Sequence, residues 1–178
     1  MKNIFFFLCL LSVGVRAQQT QGADTVLAQA RQAAAAKQGK VLLIFHASWC
    51  GWCHRMDSII ERTECKPLFD KSYVVCHLDV MEMPAKKSLE NPGAIDFYNK
   101  YTGNDKGMGL PFWVVLDASG TVLADSRLKD DGIAPTGKGA SIGCPAEPNE
   151  VAYFAKVLKG TTALTDAEIN TIATHFRK

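Results

Sequence analysis

An unbroken apolar run, Val41, Leu42, Leu43, Ile44 and Phe45, is the strongest pattern in the chain. Its length and branched side chains predict a central strand covered on both faces. Before it, Val26, Leu27, Ala30, Ala33 and Ala34 recur at helical spacing, with Asp24 as the expected N-cap and Gly39 as the expected stop. After it, Met56, Ile59 and Ile60 fall on one side of a helix that starts near Cys50, and Ser48 is placed to cap it. A break at Glu64 and Cys65 leads to a short helix with Pro67 in its first turn. Residues 73–80 read as a second strand, with Cys76 a small buried apolar residue and His77 a structural histidine on the opposite face.

Residues 81–109 form a long excursion. It holds a short polar helix near residues 86–90, a turn at Asn91, Pro92 and Gly93, and a helix over 94–101 with Ile95, Phe97, Tyr98 and Tyr101 partly inward. A glycine-rich loop follows, then strands at 112–117 and 121–125 joined by Ala118, Ser119 and Gly120, a hairpin signal. Residues 127–148 read as loop. Two helices close the chain: one through Lys159 with Val151, Phe154, Ala155 and Leu158 inward, and one opened by a Thr165 and Glu168 capping box and buried through Ile169, Ile172 and Phe176.

The 178 residues, 47% hydrophobic and 21% charged, suit one globular domain with a sizeable core. Two of the basic residues, Lys2 and Arg16, lie in the first seventeen positions, which carry no acids. Without them the acidic and basic residues are equal in number, so charge gives no support for a nucleic-acid partner. The start itself reads as an export signal over residues 1–17: Lys2, an apolar run over 4–13, and small residues Val15 and Ala17 before a cleavage point. An uncleaved anchor is the alternative. The domain is then 18–178, with no stable membrane insertion, and Cys9 leaves with the signal. The five remaining cysteines, Cys50, Cys53, Cys65, Cys76 and Cys144, are odd in number, so at least one is free or pairs transiently. Export places them in an oxidising compartment.

The chemistry gathers where the first strand runs into Cys50 and Cys53. Cys50 falls at the first turn of a helix, where free N–H groups and the positive end of the dipole favour a thiolate. Cys53, one turn on, is placed to close a reversible disulfide with it. The segment Trp49-Cys50-Gly51-Trp52-Cys53 after an apolar strand, together with Leu110-Pro111 leading a later strand, resembles the thioredoxin-like family over about residues 40–126. The resemblance implies an α/β fold: a mixed central sheet flanked by helices on both faces, here with an N-terminal helix and two C-terminal helices. It implies that Cys50 and Cys53 are the catalytic redox pair. It also implies that Pro111 is cis, and that the backbone of Leu110 pairs with an extended substrate segment. Trp49 and Trp52 flank Cys50 as a surface for a partner. Two positions depart from the family: its buried strand acid falls on Ile44, and His54 directly follows Cys53, where an imidazole is placed to move a proton or to stabilise a thiolate.

The expected activity is thiol–disulfide exchange with protein substrates, as a reductase fed by an upstream redox partner, exported to a bacterial periplasm or secreted, with no cofactor and no metal. Three other readings compete. Cys50-Gly51-Trp52-Cys53-His54 also matches a c-type haem attachment site, with Met81, Met83 or Met108 as second axial ligand. A binding or folding-helper protein would use the scaffold without turnover. Zinc lacks a ligand set, because no second Cys-x-x-Cys and no close histidine pair stands in the sequence. Cys65 and Cys76 are a possible pair, and Cys144 a possible third redox thiol near the site.

Overall fold

The apolar run forms β1 (Lys40–His46), whose five middle residues are all buried. The computed structural model describes residues 20–105, 107–130, 132–135 and 139–177, and the signal predicted over 1–17 lies outside them. β1 is central. On one side it pairs in parallel with β2 (Tyr73–Asp79). On the other it pairs antiparallel with β3 (Phe112–Leu116), which pairs antiparallel with β4 (Val122–Asp125). The sheet is therefore mixed, in the order β2-β1-β3-β4.

Alternation along β1 sends its side chains into two cores. Leu42 and Ile44 join α2 (Gly51–Ile60), α5 (Pro148–Thr161) and α6 (Asp166–Phe176) in one cluster centred on Trp113, Phe154 and Phe176. Val41, Leu43 and Phe45 join α1 (Ala23–Ala36) and α4 (Ala94–Thr102) in the other. Burying each large apolar side chain contributes about 1.5–3 kcal/mol, which is why a strand apolar at every position ends up in the centre.

Several boundaries differ from the sequence reading. Gly22, not Asp24, is the N-cap of α1, so Asp24 sits in the first turn, where its charge favours the helix dipole. Cys50, not Ser48, is the N-cap of α2. α3 (Lys66–Ser72) does carry Pro67 in its first turn. In α4, Ile95 faces solvent at 42% exposure, while Tyr98 turns in to meet Phe45 and Phe112 edge-on. α5 runs to Thr161, two residues past Lys159, and the capping box at Thr165 and Glu168 forms as read.

The stretch after β4 is irregular but tied down. Arg127 bridges to Ser141, Leu128 N–H donates to Ala140 O at 2.9 Å, and Ile142 N–H donates to Ser126 O at 2.8 Å. These contacts lay the segment beside Pro111, where it becomes a wall of the site.

Candidate active site

Cys50 leaves β1 through the turn at Ala47, Ser48 and Trp49, and caps α2 with extended backbone. Its sulfur accepts the Cys53 N–H at 3.2 Å, and its carbonyl accepts the N–H of His54 at 3.2 Å. Cys50 and Cys53 are joined as a disulfide, with Cα atoms 5.3 Å apart. The sulfur of Cys50 thus sits where the free N–H groups of α2 point, which lowers the cost of a thiolate there. Both cysteines pack with Ala47 and Leu110. The Leu110–Pro111 peptide bond is cis and directly precedes β3, so Leu110 lies just beyond the sheet ladder.

Trp49 and Trp52 are exposed at 53% and 45%, on either side of Cys50. Trp49 is held by a hydrogen bond from its ring N–H to Met81 O at 2.8 Å, and the Arg55 guanidinium lies over the Trp52 ring at 5.9 Å. A cavity of about 560 Å³ opens beside Trp52, lined by Leu110, Pro111, Gly143, Cys144 and Glu150 among others. His54 does not face the cysteine sulfurs with a hydrogen bond; its Nε2 pairs with Ser48 O at 2.9 Å.

The structure adds Glu82, His46 and Asp57, which the sequence reading did not single out, and gives Ser48 and His77 partners it did not foresee. Glu82 is buried, and its carboxylate accepts both Ser48 N–H (2.5 Å) and Ser48 Oγ–H (2.8 Å). Ser48 is therefore a tether to the excursion rather than a helix cap. No local pattern signals this pair, which bridges 34 positions. At the ends of β1 and β2, His46 Nε2 lies 3.1 Å from Asp79, and His77 Nε2 lies 2.8 Å from Asp57 of α2. Burial disfavours the charged form of His46, but Asp79, Asp57 and Glu82 outweigh it and its pKa is raised. Burial likewise pushes the Asp57 carboxyl up, but the His77 hydrogen bond and the neighbouring imidazoles leave it below its usual value.

The other thiols do not pair. Cys65 and Cys76 belong to different cores on opposite faces of the sheet, so the bridge considered from sequence does not form. Cys144 does come to the wall of the cavity, but buried. Burial pushes both Cys76 and Cys144 up to about 11, against the opposing effect of Arg55 on Cys144. After mild reduction, a small alkylating agent at about pH 8 is expected to label Cys50 first, because its sulfur sits at the N-terminus of α2, where a thiolate costs least, while burial holds the other thiols protonated. Cys65, Cys76 and Cys144 should react only once denaturant is added, which peptide mass spectrometry resolves. Native labelling of Cys144 as fast as Cys50 would contradict this assignment.

A family profile described as thioredoxin-like matches residues 23–118, more than half of the chain. No curated protein sequence matches significantly. Among solved structures, a disulphide isomerase from Xylella fastidiosa Temecula1 is similar at 22% identity and a TM-score of 0.48, over 65% of this chain and 79% of that one. A DsbH oxidoreductase is similar at 20% identity and 0.45, over 90% and 94%. A thioredoxin from Thermus thermophilus is similar at 19% identity and 0.37, over 55% and 63%.

Proposed function

This chain belongs to the thioredoxin-like family, and from that premise we propose that it is an exported protein thiol–disulfide oxidoreductase acting as a reductase. The observation that carries the reading is the Cys50 sulfur at the N-terminus of α2, joined to Cys53 and packed against Leu110 beside the cis Leu110–Pro111 bond. In the reducing direction the Cys50 thiolate attacks a substrate disulfide. One substrate sulfur leaves as a thiolate and a mixed disulfide forms. The Cys53 thiolate then attacks Cys50, the second substrate thiolate leaves, and the Cys50–Cys53 disulfide remains. The two electrons gained by the substrate are restored by an upstream dithiol.

Leu110 supplies backbone groups at the open end of β3 for an extended substrate strand, Pro111 shapes that approach, and Trp49 and Trp52 offer apolar surface for the rest of the partner. Direction follows from how well the reduced form is stabilised, since a strongly stabilised thiolate makes an oxidant. The His54 ring is engaged by the Ser48 carbonyl rather than by Cys50, which leaves the helix terminus as the main stabiliser and favours a reductase. Proton transfer through His54 requires its ring to leave that carbonyl. Export, to a periplasm or out of the cell, is read from residues 1–17, leaving 18–178 as the working domain. Among the described residues no helix is long and apolar enough to cross a membrane.

The test is the reduction potential in glutathione buffers, with an absorbance scan of the same sample. A couple near or below about −250 mV is expected, since thioredoxin lies near −270 mV. A value of about −120 to −180 mV would reverse the direction. Absence of a two-electron couple would favour a binding protein without turnover, and a haem band would reassign Cys50, Cys53 and His54.

A further inference from the structure

We propose that His46, Asp57 and His77 form a binding site for a divalent transition-metal ion, with zinc the ion their donors suit best. The sequence shows no close histidine pair, because thirty positions separate the two imidazoles. The parallel register brings them together. Ile44 pairs with His77 and His46 with Asp79. The row on that face of β1 reads Leu42, Ile44, His46, and on β2 Tyr73, Val75, His77, Asp79. Both rows are apolar where they face the core and turn polar together at the carboxyl ends of the parallel strands, the place where open α/β sheets bind ligands. The two imidazole rings lie 4.7 Å apart between centroids.

Asp57 arrives from α2, one helical turn after Cys53. One donor atom from each of His46, Asp57 and His77 lies within 4.8 Å of the other two. One Asp57 oxygen accepts a hydrogen bond from His77 Nε2 at 2.8 Å, and the other is 3.9 Å from His46 Nδ1; an ion entering here displaces the His77 Nε2 proton to solvent and takes its place between the two groups. The second distance is too long for a hydrogen bond, but close to the spacing of two ligands on one ion: bonds of about 2.0–2.1 Å set tetrahedral ligands about 3.4 Å apart. Asp79 completes the arrangement from behind. With its oxygen 3.1 Å from His46 Nε2, it favours the neutral tautomer protonated there, whose lone pair is on Nδ1 toward Asp57. A carboxylate that orients a ligating imidazole in this way is the usual support of a zinc histidine. The three side chains are 20–34% exposed, so an ion can enter from solvent and water can take the fourth position. Two imidazoles and a carboxylate suit zinc better than magnesium or calcium, which prefer all-oxygen sets. An ion held here would join the ends of β1 and β2 to α2, bracing the active-site turn from its flank. The site stands on its own geometry, and its test does not depend on the redox reading.

The experiment uses untagged protein in its oxidised form, so that Cys50 and Cys53 offer no thiolates, titrated with zinc against a chromophoric chelator. One zinc per chain is expected. Asp57→Asn and His77→Gln should each weaken binding more than about 100-fold, and Asp79→Asn about 10–100-fold, the usual loss for an orienting partner. His54→Gln, which removes the imidazole on α2, should leave affinity unchanged. Cobalt(II) in place of zinc should give d–d bands without thiolate charge transfer, and circular dichroism confirms that each variant is folded. Absence of zinc binding by the folded oxidised protein, or binding that survives His77→Gln, would overturn the proposal.

Discussion

Serine in place of Cys50 abolishes reduction of a protein disulfide, whereas serine in place of Cys53 leaves the first attack intact and strands the partner on Cys50. The asymmetry comes from position. Cys50 is the N-cap, its sulfur already accepts the Cys53 N–H, and the two exposed tryptophans flank it. Cys53 lies inside the first turn at 1% exposure, against 4% for Cys50. A hydroxyl at position 50 stays protonated at neutral pH and does not attack a disulfide sulfur, so no mixed disulfide forms. The expected loss is at least about 1,000-fold in turnover, about 4 kcal/mol of barrier. Insulin reduction measures it. With Cys53→Ser, a covalent adduct with a disulfide-containing substrate should appear on a non-reducing gel and vanish with reductant. Activity of Cys50→Ser above a tenth of the native value, or no adduct with Cys53→Ser, would mean that the roles are exchanged or that exchange is not the function.

What was legible in the sequence was whatever local spacing encodes. Residues 41–45 suited a buried strand, Thr165 and Glu168 fitted a capping box that opens a helix, and the strand-to-Cys50 junction put the Cys50 sulfur at a helix terminus. Two local rules misassigned residues because tertiary contacts offered a better partner. Ser48 had the chemistry of a cap, but Glu82 claimed both its donors. Ile95 had helical spacing, but the inward face of α4 is set by Tyr98 packing on Phe45 and Phe112. The cluster of His46, His77 and Asp57 was illegible for a different reason. Its formation depends on the register of a parallel pair whose strands are joined through two helices, and no local pattern specifies a parallel register. In sequence His77 reads as a structural histidine and His46 carries no signal of its own; only the parallel register sets them side by side. Cys144 is a candidate thiol near the site from sequence, and it does come to the cavity, but the path of the glycine- and proline-rich wall that carries it has no local signal.

That wall hangs on one buried acid, and alanine in place of Asp125 is expected to destabilise the protein by about 3–5 kcal/mol, the usual result of removing one partner from a buried ion cluster. The Asp125 side chain is 1% exposed and binds Arg127 Nε and Lys129 Nζ, each at 3.0 Å, while those cations are themselves only 12% and 7% exposed. Removing the carboxylate leaves two largely buried positive charges without a counter-charge between them, Arg127 keeping the Tyr101 and Pro135 carbonyls. At about 2–4 °C per kcal/mol for a chain of this size, the melting temperature should fall by roughly 10 °C. Asp125→Asn keeps the shape and loses the charge, and should fall between the two. The effect reaches the site because Arg127 also bridges to Ser141, two residues before the Gly143 carbonyl that accepts the Trp113 ring N–H at 2.8 Å. Loosening that chain of contacts displaces the wall beside Pro111 without touching the Cys50 helix terminus. KM for a protein substrate should therefore rise in Asp125→Asn, while the rate of Cys50 with a small alkylating agent stays native. Unfolding in urea gives the stability and steady-state kinetics the rest. A destabilisation below about 1 kcal/mol in Asp125→Ala would show that Arg127 and Lys129 reach solvent when released, and that the wall is held by its backbone contacts alone.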